Sequence, residues 1–249
     1  MTIRLADRGI ALVLLDIEGT TTPVAFVHDI LFPFARLRLD DWISRHATSD
    51  DCRHVIQRLS AEHAADVARG EPVPPWASRP AEAERLAAVA YATWLMDRDR
   101  KSPGLKLLQG LIWEDGYQAG ALHGEVFPDV PPAIRRWREQ DIGTAIYSSG
   151  SALAQRRLFG STGHGDLTPL ITGFFDTRVG PKTDAASYER IVAALGQAPA
   201  DVLFLSDVTR ELAAARQAGC QAVLIVRPGN APQPDARAFE TVASFGEIA

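Results

Sequence analysis

The first apolar segment of the chain, residues 10–15, runs directly into two carboxylates, Asp16 and Glu18, and a turn rich in hydroxyl groups. An apolar run of this length, bounded by turn residues, is typical of a strand buried on both faces, as in a parallel sheet. Asp16 would then lie at the carboxyl end of the strand. In open α/β sheets ligands bind beyond this end, so the pattern predicts that the chemistry of the protein begins here.

Residues 24–124 have apolar positions at helical spacing and no convincing strand. We expect Pro33 to kink the first helix or to end it early. A second helix is predicted from Ser49 or Asp50, either of which suits an N-cap, to near residue 70.

A proline-rich stretch, residues 70–80, predicts an extended loop before two further helices. One covers residues 82–97, and the other begins at Pro103, since proline is favourable in the first turn of a helix. The buried face of the 82–97 helix is predicted to contain Leu86, Val89, Ala90 and Thr93.

From residue 125 strand and helix patterns alternate, which is the order of a parallel sheet. The predicted strands cover residues 142–148, 174–176, 201–206 and 221–226, and the predicted helices cover 133–140, 151–159, 183–196 and 208–219. The tail from Asn230 is rich in proline and then weakly helical. We therefore predict an α/β fold with a doubly wound parallel sheet, formed by residues 1–23 and 125–249. Residues 24–124 would form a helical cap domain inserted after the first strand.

Composition narrows the class of protein. The 249 residues are 46% hydrophobic and 23% charged, with a net charge of −5, as in an ordinary globular protein. No apolar run approaches membrane-spanning length and the basic residues are dispersed, which argues against a membrane or a nucleic acid as partner. Cys52 and Cys220 suggest neither a disulfide framework nor a zinc site, so we expect a reducing, cytoplasmic location.

Lysine is scarce in this chain. Lys101, Lys106 and Lys182 are its only lysines among 26 basic residues. Where arginine is used almost everywhere else, a lysine suggests that a compact ammonium group is required. This scarcity favours a functional role for Lys182, which precedes a predicted helix. The alternative is an ordinary lysine exposed to solvent.

Asp16 and Glu18 are two residues apart, so their side chains share one face of an extended chain. Neighbouring carboxylates repel each other unless a cation lies between them, which suggests a metal. Gly19 permits a sharp turn, and residues 20–22 would offer hydroxyls and free amides to an anion. The alternative is a strand that ends in an ordinary polar turn.

Later segments add polar groups at the ends of strands. Ser148 and Ser149 follow a strand and open a helix, where hydroxyls and helix-start amides could hold a phosphate, although serine is also a common N-cap. Asp207 ends another apolar strand and could complete a Mg²⁺ site with the first two carboxylates. We interpret Glu211, one helical turn later, as a favourable acid in the first turn of a helix.

In this order the signals resemble the four motifs of the haloacid dehalogenase superfamily of phosphohydrolases, and the match spans the chain. More narrowly, the chain resembles the enolase-phosphatases, the acireductone synthases of methionine salvage. The residues that carry this narrower resemblance are 15–23 with Phe32 and Pro33, Leu105 and Lys106 with Gln109, Gly110 and Trp113, and the segments 147–151, 207–211 and 226–230. The superfamily usually has a second aspartate where this chain has Glu18, and that departure is typical of enolase-phosphatases.

The resemblance implies a set of catalytic roles. Asp16 would attack phosphorus to give an aspartyl-phosphate, while Glu18 would protonate the leaving oxygen and then activate water. One Mg²⁺ per subunit would be held by Asp16, Asp207 and the main-chain carbonyl of Glu18. The residues that would bind the phosphoryl oxygens are Ser148, Ser149 and Lys182.

The resemblance also implies a substrate, a small phosphorylated diketone. Enolase-phosphatases first enolise 2,3-diketo-5-methylthiopentyl-1-phosphate and then release phosphate to give acireductone. The base for the enolisation stays open: Glu18 is the economical choice, with His28 and Lys106 behind it. Phe26, Trp76 and Trp113 are either apolar contacts for the methylthio tail or part of the core of the cap.

Several other readings use the same residues. A dehalogenase would also use an aspartate nucleophile, but it needs neither a metal nor a neighbouring acid, so Glu18 and Asp207 weigh against it. A sugar-phosphate phosphatase or mutase without enolase activity would use the same machinery. A regulatory domain that only accepts phosphate on Asp16 has no use for an acid and base at Glu18. The resemblance favours a monomer.

Overall fold

One parallel sheet organises the larger part of the molecule. In the computed structural model, which describes residues 2–249, its strands are β1 (Leu12–Leu15), β2 (Gly143–Tyr147), β3 (Gly173–Phe175), β4 (Val202–Ser206), β5 (Gln221–Ile225) and β6 (Glu240–Val242). They pair in the order β3-β2-β1-β4-β5-β6, with every pair parallel. The predicted α/β fold with a doubly wound parallel sheet is therefore confirmed.

The helices follow the predicted order, with small differences at their ends. They are α1 (Phe32–Arg45), α2 (Asp50–Ala68), α3 (Ala81–Met96), α4 (Pro103–Gln118), α5 (Val130–Glu139), α6 (Ala152–Gly160), α7 (Ala185–Ala194) and α8 (Thr209–Gln217). Ser49 is the N-cap of α2, because its hydroxyl accepts a hydrogen bond from the amide of Cys52. Across residues 2–249 we find no helix with both the length and the apolar composition needed to cross a bilayer.

The centre of the sheet is buried on both sides. Leu12 and Leu14 of β1 pack in one apolar cluster with residues of α7 and α8. Successive side chains of a strand point to opposite faces, so Val13 and Leu15, which are also fully buried, face the other side. This double burial explains why β1 has a continuous apolar sequence rather than an alternating one.

The contacts divide the chain into two compact units. Residues up to Val27 form one unit with Gly120–Ala249, and His28–Ala119 form the other. In the second, helical unit, α1 packs against α3 and α4, and α2 packs against the same two helices. We name the first the α/β unit. That the helical unit acts as a cap, with the boundaries at residues 24 and 124, stays a prediction.

Three predictions from the sequence were wrong in whole or in part. Pro33 does not end its helix: it lies in the first turn of α1, after a π-helical segment, Phe26–Leu31, and α1 continues to Arg45. Proline has no amide hydrogen to donate, and it lies where the helix changes from π-helical to α-helical hydrogen bonding without a break. The tail also contains a sixth strand, β6, which pairs with β5 but is only three residues long and so leaves little periodicity to read.

The predicted buried face of α3 was also wrong. Leu86 is 51% exposed and Ala90 is exposed, whereas the buried residues are Ala87, Ala88, Tyr91, Ala92, Trp94 and Leu95. The helix is packed against both α1 and α2, so it buries a broad surface on which alanines allow close approach. A single stripe chosen by helical spacing does not describe such a helix.

Candidate active site

The six residues predicted for the site all line one cavity of about 340 Å³ in the α/β unit. They are Asp16, Glu18, Ser148, Ser149, Lys182 and Asp207. The register of the sheet explains why they meet. Leu15 lies opposite Ile146 on one side and Leu205 on the other, so the chain leaves β1, β2 and β4 at the same edge.

Asp16 is held at both oxygens of its carboxylate. Its Oδ1 accepts a hydrogen bond from the amide of Ile17 at 2.6 Å and lies 2.6 Å from the Lys182 Nζ. Its Oδ2 lies 3.1 Å from the hydroxyl of Ser206, the last residue of β4. Asp16 is only 5% exposed, so these contacts fix a buried carboxylate in one orientation.

Lys182 is a buried cation between two carboxylates. Its Nζ lies 2.6 Å from Asp16 Oδ1 and 2.5 Å from Glu211 Oε2. Burial alone would lower the pKa of Lys182, but Asp16 and Glu211 together raise it above its usual value. The ammonium therefore stays charged and can offset the negative charge of a phosphoryl group.

Glu211 belongs to the site, which our interpretation of it as a helix-start acid missed. It does lie in the first turn of α8, but its carboxylate contacts Lys182 and lies 3.1 Å from the Ser206 hydroxyl. Burial and the charge of Asp16 raise the pKa of Glu211, and the Lys182 ammonium offsets part of that rise. Its spacing of four residues from Asp207 was the signal that could have placed it here.

The threonines after Gly19 do not present free amides, contrary to our prediction. The amides of Thr20, Thr21 and Thr22 all donate to the carbonyl of Ile17, and the three side chains are fully buried. The hydroxyl of Thr21 lies within hydrogen-bonding distance of the carbonyl of Asp16 as well. These residues therefore build the turn that aims Asp16 and Glu18 into the cavity, and their amides are not free to bind an anion. The hydroxyl oxygens of Thr20 and Thr22 are buried without a partner.

The amides that open α6 are likewise largely occupied. The amide of Ala152 donates to Asp176 Oδ2, and that of Ala154 donates to the N-cap Ser151. Burial raises the pKa of Asp176, but hydrogen bonds from Arg178 and Ala152 lower it below its usual value overall. Asp176 thus stays ionised and, with Ser151, occupies these amides. That Ser148 and Ser149 bind the phosphoryl oxygens stays a prediction.

The backbone makes room for Asp207 at Gly19. Gly19 has φ +69°, and a Cβ added there would lie 2.4 Å from Asp207 Oδ2 and 2.9 Å from Asn230 Oδ1. Asn230 donates its amide group to the carbonyl of Gly19 at 3.0 Å, while its Oδ1 is buried without a partner. A carboxylate oxygen and an amide oxygen therefore approach Gly19 so closely that a residue with a side chain does not fit at this position.

These residues fit a divalent cation. Burial and the charge of Asp16 raise the pKa of Asp207 to about 7, because the two carboxylates repel each other in a buried place. A bound cation relieves that repulsion, and oxygen ligands of this kind suit Mg²⁺. Within residues 2–249 no three His, Cys, Asp or Glu side chains group to hold a metal. The predicted ligand set has only two such side chains and takes its third oxygen from the main chain of Glu18.

We expect Gly19→Ala to remove most of the phosphatase activity, at least about 100-fold, because the new methyl group must displace Asp207. The matched control is Gly9→Ala. Gly9 has φ +66° but nothing within 4 Å of an added Cβ, so it carries the same backbone strain, roughly 1–2 kcal/mol, without the collision. Steady-state rates and melting temperatures of both variants test this. Equal loss of activity in the two would show that strain, not the position of Asp207, is what matters.

The remaining candidates lie in or beside the helical unit. His28 is edge-on to Phe32, and Trp113 stacks on Phe32 while its indole donates to the carbonyl of Leu31 at 2.7 Å. Trp76 packs near His63 and Tyr91. Phe26 is buried, and Lys106 is exposed. Trp76 and Trp113 are each only half-buried, so whether they belong to the core of the cap or contact the substrate stays a prediction.

Comparison with known proteins places the chain in a family. The sequence profile of haloacid dehalogenase-like hydrolases matches residues 10–219. The chain is 48% identical over 240 residues to enolase-phosphatase E1 of Synechococcus elongatus, covering 96% of this chain and 98% of that protein. It is 46% identical over 237 residues to enolase-phosphatase E1 of Sorangium cellulosum, covering 95% and 96%.

Comparison with a solved structure gives the same result as the comparison of sequences. The UTR4 protein of Saccharomyces cerevisiae superposes with a TM-score of 0.73 at 32% identity, covering 94% of this chain and 98% of that one. The predicted resemblance is thus confirmed, and this chain is a hydrolase with the predicted α/β fold. It belongs to the enolase-phosphatase E1 family of haloacid dehalogenase-like hydrolases.

Proposed function

We propose that this protein is a Mg²⁺-dependent enolase-phosphatase. It enolises 2,3-diketo-5-methylthiopentyl-1-phosphate and then releases phosphate to give acireductone, a step of methionine salvage. The observation that carries this proposal is the buried Asp16 carboxylate, with the Lys182 ammonium 2.6 Å from one oxygen, in a cavity that Glu18 and Asp207 also line. In this proposal Asp16 is the nucleophile, Glu18 the acid and Lys182 the cation that meets the phosphoryl group.

In the first phosphoryl step an oxygen of Asp16 attacks phosphorus, and the bond from phosphorus to the substrate oxygen breaks. The leaving oxygen takes the proton of Glu18. Ser148, Ser149 and Lys182 donate hydrogen bonds to the phosphoryl oxygens, so charge that builds up during the transfer meets donors already in place. The product is an aspartyl-phosphate and the free enediol.

In the second step a water molecule attacks phosphorus. Glu18, now ionised, takes a proton from that water, and the bond between phosphorus and Asp16 breaks. Orthophosphate leaves, and Asp16 returns to its contacts with Ile17, Lys182 and Ser206. One residue thus acts first as acid and then as base, as two successive transfers at the same phosphorus require.

Asp16, Asp207 and the main-chain carbonyl of Glu18 would hold the Mg²⁺. When bound, Mg²⁺ neutralises phosphoryl charge, so that a carboxylate can approach phosphorus. The unpartnered Asn230 Oδ1 lies on the same side of Gly19 as Asp207, where it can accept a hydrogen bond from water in such a site.

Enolisation requires a base that removes a proton from the carbon next to a carbonyl, while the carbonyl oxygen gains a proton from water. We propose Glu18, because it lines the cavity and serves the phosphoryl steps as well. His28 and Lys106 lie in the helical unit, to which we assign the role of a cap that excludes water and selects the substrate. A monomeric state and a cytoplasmic location also remain predictions.

Phosphate release from the diketone phosphate and from a sugar phosphate tests this proposal. With Mg²⁺ present we expect kcat/KM for the diketone phosphate to exceed that for the sugar phosphate by at least about 100-fold. An enolase-phosphatase stabilises the transition state of its own substrate better than that of another phosphate ester. Equal or better turnover of the sugar phosphate would instead identify a general sugar-phosphate phosphatase. A single stoichiometric phosphorylation of Asp16 without turnover would identify a regulatory domain.

A further inference from the structure

The segment that carries Lys182 is held by side chains at four consecutive carbonyl groups. The carbonyls of Gly180, Pro181 and Lys182 accept hydrogen bonds from the hydroxyls of Tyr147 (2.9 Å), Ser187 (2.8 Å) and Tyr188 (2.7 Å), in that order. The preceding carbonyl, that of Val179, accepts one from Arg190. We call the three hydroxyl contacts the hydroxyl clamp.

The clamp holds a segment that has no regular structure of its own. Residues 176–184 lie between β3 and α7 and contain turns but no helix or strand. Gly180 has φ +138°, and an added Cβ would lie 2.2 Å from the hydroxyl oxygen of Ser187, so its lack of a side chain lets the clamp close. The carbonyl of Pro181 also accepts a hydrogen bond from the amide of Asp184 at 3.1 Å, and the hydroxyl groups supply the further donors that a segment without helix or sheet bonds needs.

The donors of the clamp come from rigid elements around the site. Tyr147 ends β2, and Ser187 and Tyr188 lie in the first turns of α7. The ring of Tyr188 packs edge-on against Tyr147 and Phe204, and Tyr188 is fully buried. Burial, together with the charge of Glu211, raises the pKa of Tyr188, so its hydroxyl keeps its proton and remains a donor.

We infer that the hydroxyl clamp positions the main chain at Lys182, so that its ammonium stays at the phosphoryl site between Asp16 and Glu211. Tyr147, Ser187 and Tyr188 are then positioning residues that act through Lys182. A lysine side chain has many rotamers, and two carboxylates fix only its end. Fixing the main chain as well defines where the ammonium meets the phosphoryl group, which matters because small displacements of a catalytic group lower rates strongly. This inference rests on the proposed role of Lys182 in phosphoryl binding.

The first test is Tyr188→Phe, with Ser187→Ala as a second variant that removes a smaller donor. We expect kcat/KM for hydrolysis of para-nitrophenyl phosphate with Mg²⁺ to fall about 10- to 100-fold in Tyr188→Phe.

The matched control is Tyr91→Phe in the helical unit, since Tyr91 is also buried and donates a 2.7 Å hydrogen bond, to Asp66. That variant should lose thermal stability but keep its rate. Because para-nitrophenyl phosphate is not the proposed natural substrate, this assay tests the clamp whatever the natural substrate is.

The second test repeats Tyr188→Phe in a Lys182→Ala background. If the clamp acts through Lys182, the second substitution lowers the residual rate of Lys182→Ala by less than about twofold, because the group it positions is already gone. A merely structural role predicts the same factor in both backgrounds. That result would overturn the inference.

The third test measures how accessible Lys182 is to a reagent, and it does not depend on enzyme activity. Lys182 is buried and Lys101 is exposed, so Lys101 is an internal reference in every sample. We expect acetic anhydride to acetylate Lys182 more rapidly relative to Lys101 in Tyr188→Phe than in the wild type or Tyr91→Phe, as measured by peptide mass spectrometry. An unchanged ratio would show that the clamp does not fix Lys182. Turnover of the aryl phosphate without turnover of the diketone phosphate would refute the proposed function but not the clamp.

Discussion

Replacing Asp16 with asparagine should lower phosphate release by at least about 10⁴-fold, because an amide cannot form the aspartyl-phosphate. The substitution keeps the size of the side chain, and its oxygen can still accept from Ile17 or Ser206. It removes a negative charge 2.6 Å from the Lys182 ammonium, so some loss of thermal stability is also expected. Steady-state phosphate release and a thermal melt measure the two effects separately.

The control for this substitution is Asp201→Asn. Asp201 immediately precedes β4, the strand whose opposite end carries Ser206, so it lies at the far edge of the same sheet. We expect this variant to keep its rate. Residual turnover above about one hundredth of the wild-type rate in a folded Asp16→Asn protein would show that Asp16 is not the nucleophile.

Glu18→Gln should lower both enol formation and phosphate release, each by about 10²- to 10⁴-fold, which is the usual contribution of a general acid or base. Glutamine keeps the shape of the side chain but can neither give a proton to the leaving oxygen nor take one from carbon or water. The two steps are followed in one reaction, by ultraviolet absorbance for the enol and by a colorimetric assay for phosphate.

The pattern of loss in Glu18→Gln assigns its roles. If enol formation continues at the wild-type rate while phosphate release stops, another residue is the base for the carbon, and His28 and Lys106 become the candidates. Release at the wild-type rate would remove Glu18 from the mechanism. Glu139→Gln, at the exposed end of α5, is the control and should behave as the wild type.

The sequence predicted the part of the fold that rests on burial and order along the chain. A continuous apolar run predicts a doubly buried strand, and β1 is such a strand. Because the carboxyl ends of parallel strands meet at one edge, placing polar residues at those ends was enough to bring Asp16, Ser148 and Asp207 into one cavity. Neither step needed the conformation of any side chain.

What depends on side-chain or turn geometry could not be read in this way. Glu211 fits equally well as a helix-start acid and as a partner of Lys182, and only the distances decide between them. The amides of the threonine turn are taken by the Ile17 carbonyl because of how the turn closes, which no residue type specifies. The hydroxyl clamp joins β2 and α7 to one loop, so it is visible only once the chain is folded.

The most direct measurement of the proposed function follows a single turnover of the wild-type protein with Mg²⁺ and the diketone phosphate. Ultraviolet absorbance and free phosphate are recorded together. We predict that an absorbing enol phosphate forms first, and that phosphate then appears as the enediol product accumulates. Phosphate release with no enol absorbance at any time would contradict the enolase step and leave a phosphatase alone.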